Sequence, residues 1–494
     1  RGSVRPRGNM NIRKSLLNFV LLNLVIVGST VASQAQAPAN APAASWVPKS
    51  IAYIKASNAR KDDQFGYAVA VSGDGSTLAV GAVNESSAAK GVNGNQADTS
   101  ALDSGAVYVY TRAAGKWAQQ AYVKASNAHE GAQFGCTIAF SNDGNMMAVT
   151  ACLEDSGSAG VNGDQNDHSQ DSSGAVYIFA RTGGKWAQQA YLKASNPGEG
   201  NQFGFALSFN ADATMLAASA YQEGSRATGV NGNQNDNSAP GDGAVYIFTR
   251  TGASWAQQAY LKPDAPGEYL GNSLSLNADG STVVIGAPNA GAGDVYVFVR
   301  SGTTWTKQAH IKAMDEQNNE SFGWSVGVSA DGNTFVAGST DRDDSNGMAR
   351  IFVRNGDTWT QQARLKGSNT RKNDQFGVAI AISADGNTVA VGSHFNAGPP
   401  ASKGINSDPE DDDVSGSGSA YIFTRNGAAW KQAAYVKAPN ARVAAEFGRS
   451  IALSSDAKTL VVGSLRETSA AKGVNGNQAD TSAPEAGAAY VFYQ

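Results

Sequence analysis

Short apolar runs alternate with turn residues along most of the chain, and one arrangement of them recurs. Its clearest copy extends from Phe203 to Lys262. Phe203-Gly204 opens an apolar run that ends in a turn at Asn210-Ala211-Asp212-Ala213. A second run, Met215–Ser219, leads into a Gly- and Asn-rich loop through Asn237. Gly243–Phe248 forms the third run, a Thr-Arg-Thr-Gly turn follows, and Trp255–Lys262 is the fourth. Each run is strand length, too short for a helix, and rich in Val, Ile, Phe and Tyr. Four such runs joined by turns predict one four-stranded antiparallel sheet.

The arrangement is written seven times. The opener stands at Phe65, Phe134, Phe203, Phe322, Phe376 and Phe447, with Leu270-Gly271 in the fourth copy. The turn after the first run carries Asp74, Asp143, Asp212, Asp279, Asp331, Asp385 and Asp456. The third run carries Tyr108, Tyr177, Tyr246, Tyr296, Ile351, Tyr421 and Tyr490. The fourth begins at Trp117, Trp186, Trp255, Trp305, Trp359 and Trp430, and ends at Lys124, Lys193, Lys262, Lys312, Lys366 and Lys437. Only six fourth runs follow a third one. Trp46–Lys55, near the other end, has the fourth-run pattern without a sheet before it. An open array would leave bare sheet edges. The expected fold is therefore all-β: a seven-bladed β-propeller over 46–494, its four-stranded antiparallel blades closed by the N-terminal strand. The near-continuous apolar runs Thr77–Val83 and Val389–Gly392 suit blades packed on both faces.

Composition narrows the class. Glycine is abundant (56 of 494 residues), charged residues are only 16%, and apolar residues at 41% argue against disorder. The formal charge is −4. Residues 1–35 hold five basic groups and no acidic one; without them 33 Lys and Arg face 42 Asp and Glu, leaving −9. So acidic a body is poorly suited to nucleic acid or anionic lipid. Arg13 and Lys14 precede an apolar stretch, Leu16–Val31, that exits into small residues, the layout of a signal peptide. Met10 is the expected start, with residues 1–9 as upstream read-through, and cleavage is expected after Ala35. An Ala/Pro linker covers residues 36–45. The mature chain is then expected to be exported, with no membrane span, and to be periplasmic, secreted or at the cell surface.

Phe-Gly at the opener, Ile285–Pro288 on a second strand and Gly-Ala-Val-Tyr on the third resemble FG-GAP repeats, the blades of the integrin α-subunit propeller. The resemblance spans Trp46–Gln494. It implies a propeller used for binding or adhesion, often with calcium. Calcium loops of that family read Asp-x-Asp-x-Asp-Gly between the first and second strands. This chain has only tight turns there, such as Ser72-Gly73-Asp74-Gly75, and one carboxylate cannot supply the six to eight oxygens that calcium takes. Such an Asp has a structural task, bonding the backbone ahead of Gly.

The long loops between second and third strands are the other place for a cation. Four carry Asn93, Asn95 and Asp98; Asn162, Asp164 and Asp167; Asn231, Asn233 and Asp236; and Asn475, Asn477 and Asp480. A fifth, more acidic version spans Asn406–Asp413, and Glu85, Glu154, Glu223 and Glu467 lie upstream in the first four. Their oxygens could wrap calcium, or the Asn-Gly pairs could simply shape duplicated loops. Strand alternation places these loops on one face of the ring with the connectors that carry Arg60–Asp63, Arg371–Asp374 and Arg442. Shorter loops in copies four and five, Asn289–Gly293 and Thr340–Gly347, leave that face lopsided.

The remaining chemistry is sparse. The seven strand-four lysines, with Lys55 as the seventh, are expected to keep outer edges soluble, or else to hold an acidic polymer. The Trp residues are expected between blades rather than on a sugar. Gly323-Trp324-Ser325-Val326-Gly327 matches a hydrolase pattern, but stands where a first strand is expected and no helix follows. The four histidines, His129, His168, His310 and His394, fall in different copies without zinc spacing. Cys136 and Cys152, nearly opposite on one hairpin, could form a disulfide in an oxidising compartment. The chain is read as a non-enzymatic module binding a protein or glycan through its long-loop face, with no certain cofactor. An axial lyase or hydrolase site and a purely structural surface role are the alternatives.

Overall fold

Second strands hold the ring together because they are buried from both sides. Thr77–Ala82, Met146–Ala151, Met215–Ala220, Thr282–Ala287, Thr334–Ser339 and Thr459–Ser464 are buried at every residue, and Thr388–Ser393 at all but its first. The computed structural model describes residues 46–263, 268–289, 291–313, 321–340, 347–397, 404–406 and 415–494. The signal segment, the linker and the acidic loop beyond Asn406 lie outside the described residues. So do residues 341–346 of the short loop in copy five.

There are seven four-stranded antiparallel sheets, each ordered first to fourth strand outward. In blade three these are Phe203–Phe209, Met215–Ala220, Ala244–Thr251 and Ser254–Leu261. Blade seven has Phe447–Leu453, Thr459–Ser464 and Ala488–Tyr493, and its fourth strand is Ser50–Ile54, from the other end of the chain. The register runs from Ser50 opposite Tyr493 to Ile54 opposite Ala489. Trp46 is buried in the same blade, and its indole N–H donates to the Ala457 carbonyl at 2.9 Å. The expected closure is present.

Blades meet through their outer tryptophans and their Phe-Gly openers. Trp186 packs with Val107 and Val109 of the preceding blade, and its Nε1 donates to Gln120 Oε1 at 2.8 Å. Trp305, Trp359 and Trp430 donate in the same way to Gln258, Gln308 and Gln362. The tryptophans thus lie between blades. Five of the openers, at Phe65, Phe134, Leu270, Phe376 and Phe447, form a bridge to a neighbouring blade, as Phe134 does with Gly105. The Gly of the opener is obligatory: Gly66 has φ +97°, and a Cβ there would lie 2.3 Å from the Ala488 carbonyl. The first strand bulges just beyond it, with the register shifting between Phe65 and Val69. Blades two, three, five and seven have the same shift.

Two expectations need comment. The third strand of blade five does not place Ile351 at the Tyr position. Tyr108 lies opposite Val80, and the matching partner, Ala337, faces Arg350. Arg350 is fully buried, donates to Ser339 Oγ and lies 5.4 Å from the Phe322 ring centroid. The misassignment came from matching the nearest apolar residue instead of the register. Gly323–Gly327 lies within the strand Phe322–Val328, without the strand-to-helix turn a nucleophile elbow needs. No helix among the described residues is long and apolar enough to cross a membrane.

Deleting residues 46–55 removes the outer strand of blade seven with buried Trp46, Tyr53 and Ile54. At about 1.5–3 kcal/mol for each large apolar side chain, thermal unfolding should show a loss of more than roughly 4 kcal/mol. An unchanged melting curve would contradict closure by this strand.

Candidate ligand-binding face

The long loops are built around a buried carboxylate. Glu154 Oε2 accepts from Lys193 Nζ at 2.9 Å and from the Ser156 amide at 3.1 Å. Its Oε1 accepts from Tyr191 Oη at 2.7 Å and Asn127 Nδ2 at 3.0 Å. One side chain thereby ties together the start of the loop, the fourth strand and the incoming connector. Glu85 with Lys124, Glu223 with Lys262, and Glu467 with Lys55 repeat the ion pair at 2.8–2.9 Å, with both partners essentially inaccessible to solvent. In the last of these, the lysine comes from the closing strand.

This corrects the expectation for the strand-four lysines. Lys55, Lys124, Lys193, Lys262 and Lys437 are fully buried, neither edge guards nor a ring open to a polymer. The reason is that each long loop adds a rung to the outer strand: Val92 pairs with Val123, Val161 with Leu192, Val230 with Leu261, Ile405 with Val436 and Val474 with Ile54. That rung covers the lysine. In blades four and five, where the loops are short, Lys312 and Lys366 are exposed. Burial pulls the ammonium pKa of Lys55, Lys124 and Lys193 down while the neighbouring Glu pulls it back up. Blade six has Asn396 at the Glu position. There Lys437 donates to Ser417 and Ser419, and burial brings it down to about 8.

The twelve Asn and Asp residues singled out as cation ligands each accept a backbone amide. Asn93, Asn162, Asn231 and Asn475 accept the amides of Tyr122, Tyr191, Tyr260 and Tyr53 on the fourth strands, at 2.9–3.0 Å. Asn95, Asp164, Asn233 and Asn477 accept the amide two residues onward in the turn. Asp98, Asp167, Asp236 and Asp480 do the same. Asp98, Asp167 and Asp480 also cross the loop to the amides of Ala88, Gly157 and Ala470. A cation would have to share these oxygens with N–H groups they already serve. The Asp turns on the other face are likewise self-contained: Asp74 accepts from Ser72 Oγ and from Ser76.

The connectors reach the same face. Arg60 donates to the Gln96 and Asp98 carbonyls, and Arg442 to those of Gln478 and Asp480, so both arginines pin a loop. Asp63, next to Arg60, is buried, and that burial raises its carboxyl pKa to about 7. His129 and His168 do not fall in separate copies. They belong to the connector and long loop of blade two, with ring centroids 5.3 Å apart. The connector that follows the fourth strand of blade one lies in space against the loop of blade two, which brings the two rings together. Cys136 and Cys152 are joined by a disulfide, with Cα atoms 6.3 Å apart.

At the centre of this face the axis opens into a cavity of about 800 Å³. The first strands supply its wall at one register position, two residues after the opener: Tyr67, Cys136, Phe205, Asn272, Trp324, Val378 and Arg449. No two of these residues are alike, although the positions around them are nearly copied. In blades one, two, three, five and seven the bulge beyond the opener coincides with this position. The Tyr221 and Phe205 rings are tilted against each other with centroids 4.0 Å apart, Tyr269 lies 6.2 Å from Tyr221, and Arg449 lies 5.9 Å from the Tyr67 ring centroid. His394 is buried nearby, and burial with the charge of Arg449 lowers it to about 3. The opposite end of the axis, lined by the tight turns, holds a smaller cavity of about 320 Å³. Of the mouth residues, sequence reasoning singles out only Cys136 and Trp324, each for another role; the signal available for the rest is their variation between copies.

Seven closed blades, with loops crowded at one end of the axis, define a seven-bladed β-propeller with a ligand-sized mouth. Residues 49–110, 117–179, 305–352 and 359–423 match the family model described as the FG-GAP repeat. Each match starts in a fourth strand and ends in a third, so the repeat straddles two blades. No curated protein matches the chain in sequence. A candidate 6-phosphogluconolactonase from Bacteroides uniformis is 10% identical, with a TM-score of 0.46, covering 78% of this chain and 97% of its own. The RRP9 WD40 repeats are 9% identical, with a TM-score of 0.48, covering 92% of this chain and 100% of their own. Neither likeness bears on function.

Lys193→Met alone should cost about 3–5 kcal/mol in denaturant unfolding, because Glu154 is left buried and unpaired. Combining it with Glu154→Leu should recover much of that loss. Equal losses in the single and double variants would contradict the pairing.

Proposed function

We propose that the chain is an exported, non-enzymatic binding module that takes a segment of glycan into the axial mouth of its long-loop face. The observation that carries this is the wall of the mouth. Tyr67, Phe205, Tyr221, Tyr269 and Trp324 are half-buried aromatic side chains, with Asn272, Asn289 and Arg449 among them. Aromatic faces flanked by amides and a guanidinium suit sugar rings, which present C–H faces and hydroxyl edges. The described lining supplies aromatic rings, amides and a guanidinium, groups suited to holding a sugar. The pinned loops around the mouth keep the wall rigid, which limits the ordering cost of binding. Export to the periplasm, the cell surface or the medium fits the signal-like start.

A glycan and protein array, followed by titration of the best ligand, tests this. Saturable glycan binding is expected, weakened about tenfold or more by Phe205→Ala or Trp324→Ala. A flat glycan array, binding only to protein spots, or affinity indifferent to both substitutions would contradict it. Release of reducing ends from a bound polysaccharide would make the mouth catalytic instead.

A further inference from the structure

The copies act as internal controls for one another, and blade two departs from the rest at three positions together. Two residues after the Asn that bonds the loop, blades one, three and seven carry Arg60, Gly198 and Arg442; blade two carries His129. Directly after the buried Glu, they carry Ser86, Gly224 and Thr468; blade two carries Asp155. Three residues after the loop Gln, they carry Thr99, Asn237 and Thr481; blade two carries His168. The three substitutions come from a connector, the start of a loop and its far end. The fold brings them together: a ligand atom from each of His129, Asp155 and His168 lies within 4.8 Å of the others. Among the described residues this is the one such group of three His, Cys, Asp or Glu side chains.

The local bonding prepares the group for a metal. His129 Nδ1 lies 3.0 Å from the Glu130 carbonyl, which can only accept, so Nδ1 carries the proton and Nε2 the lone pair. That Nε2 is shielded from solvent and has no hydrogen-bond partner. A backbone carbonyl holding the second ring nitrogen is the usual support of a ligating imidazole. Asp155 Oδ1 accepts the Ser172 amide at 2.9 Å, which orients the carboxylate and leaves Oδ2 for a ligand. His168 is exposed and can turn to bring its nitrogen to the ~3.4 Å ligand spacing of a tetrahedral shell.

We propose that His129, Asp155 and His168 form a binding site for a first-row divalent transition metal such as zinc. Two imidazoles and a carboxylate suit Zn²⁺ and leave the fourth position open to water or a ligand. The metal takes over the task that Arg60 and Arg442 perform in blades one and seven, where a guanidinium crosses from connector to loop. His129 is too short to make that crossing alone.

The test uses the full chain without a histidine tag, stripped with chelator and titrated with Zn²⁺ against a chromophoric competitor. One equivalent should bind, with a rise in melting temperature. His168→Thr and Asp155→Ser install the residues of blade one, and each should weaken binding more than about tenfold while leaving the metal-free melting curve in place. His310→Gln should bind as the parent chain does. Failure to bind one equivalent, or equal affinity in the parent chain and His168→Thr, would overturn the proposal.

Discussion

Four buried carboxylates govern the functional face of this propeller. An isolated Glu in a dry site would be expensive to ionise, and a buried Lys equally so. Here each meets the other at 2.8–2.9 Å, and the remaining lone pairs of the carboxylate are filled by an Asn of the connector and an amide of the loop. The pair is satisfied only when connector, loop and outer strand are all in place. A polar network of this kind therefore specifies one arrangement of a long loop that has little apolar surface of its own. Because Lys55 belongs to the first strand and Glu467 to the last blade, the same interaction helps to close the ring.

The consequence for function is a division of labour along each repeat. Second and third strands supply the dry interior, the outer tryptophans and opener glycines fix the spacing of blades, and the buried pairs hold the loops. The position two residues after each opener carries no shared structural duty, although Cys136 uses it for the disulfide of blade two. That position faces the axis, and there the copies diverge, from Tyr67 through Trp324 to Arg449. A scaffold duplicated with so little change elsewhere, yet different at every mouth position, is one in which binding chemistry can vary without cost to the ring.

Strand length, the count of copies and the orphan fourth strand at Trp46–Lys55 were legible because each follows from local pattern and a counting rule. The shared face of the loops and connectors was legible from strand alternation. What the sequence hid depended on partners far apart in the chain. Lys193 reads as a surface residue until a loop beginning some forty positions earlier folds over it, and Glu154 reads as one more loop oxygen. His129 and His168 look unrelated because the connector between blades belongs in space to the blade that follows. Arg350 was missed for a different reason: its register, set by pairing with Ala337, overrides the apolar pattern that favoured Ile351. The mouth itself was masked by repetition, which draws attention to what recurs rather than to what does not.

The dependence of the loops on their buried carboxylates is best tested by native-state hydrogen exchange on the Glu154→Gln chain. The amides of Ser156, Gly157, Asn162 and Gly174 are all bonded within the blade-two loop network. They should lose protection together, while the strands of blade two and the loop of blade three, around Glu223, keep theirs. Unchanged protection across the blade-two loop would mean that it holds its shape without the carboxylate, contrary to this account.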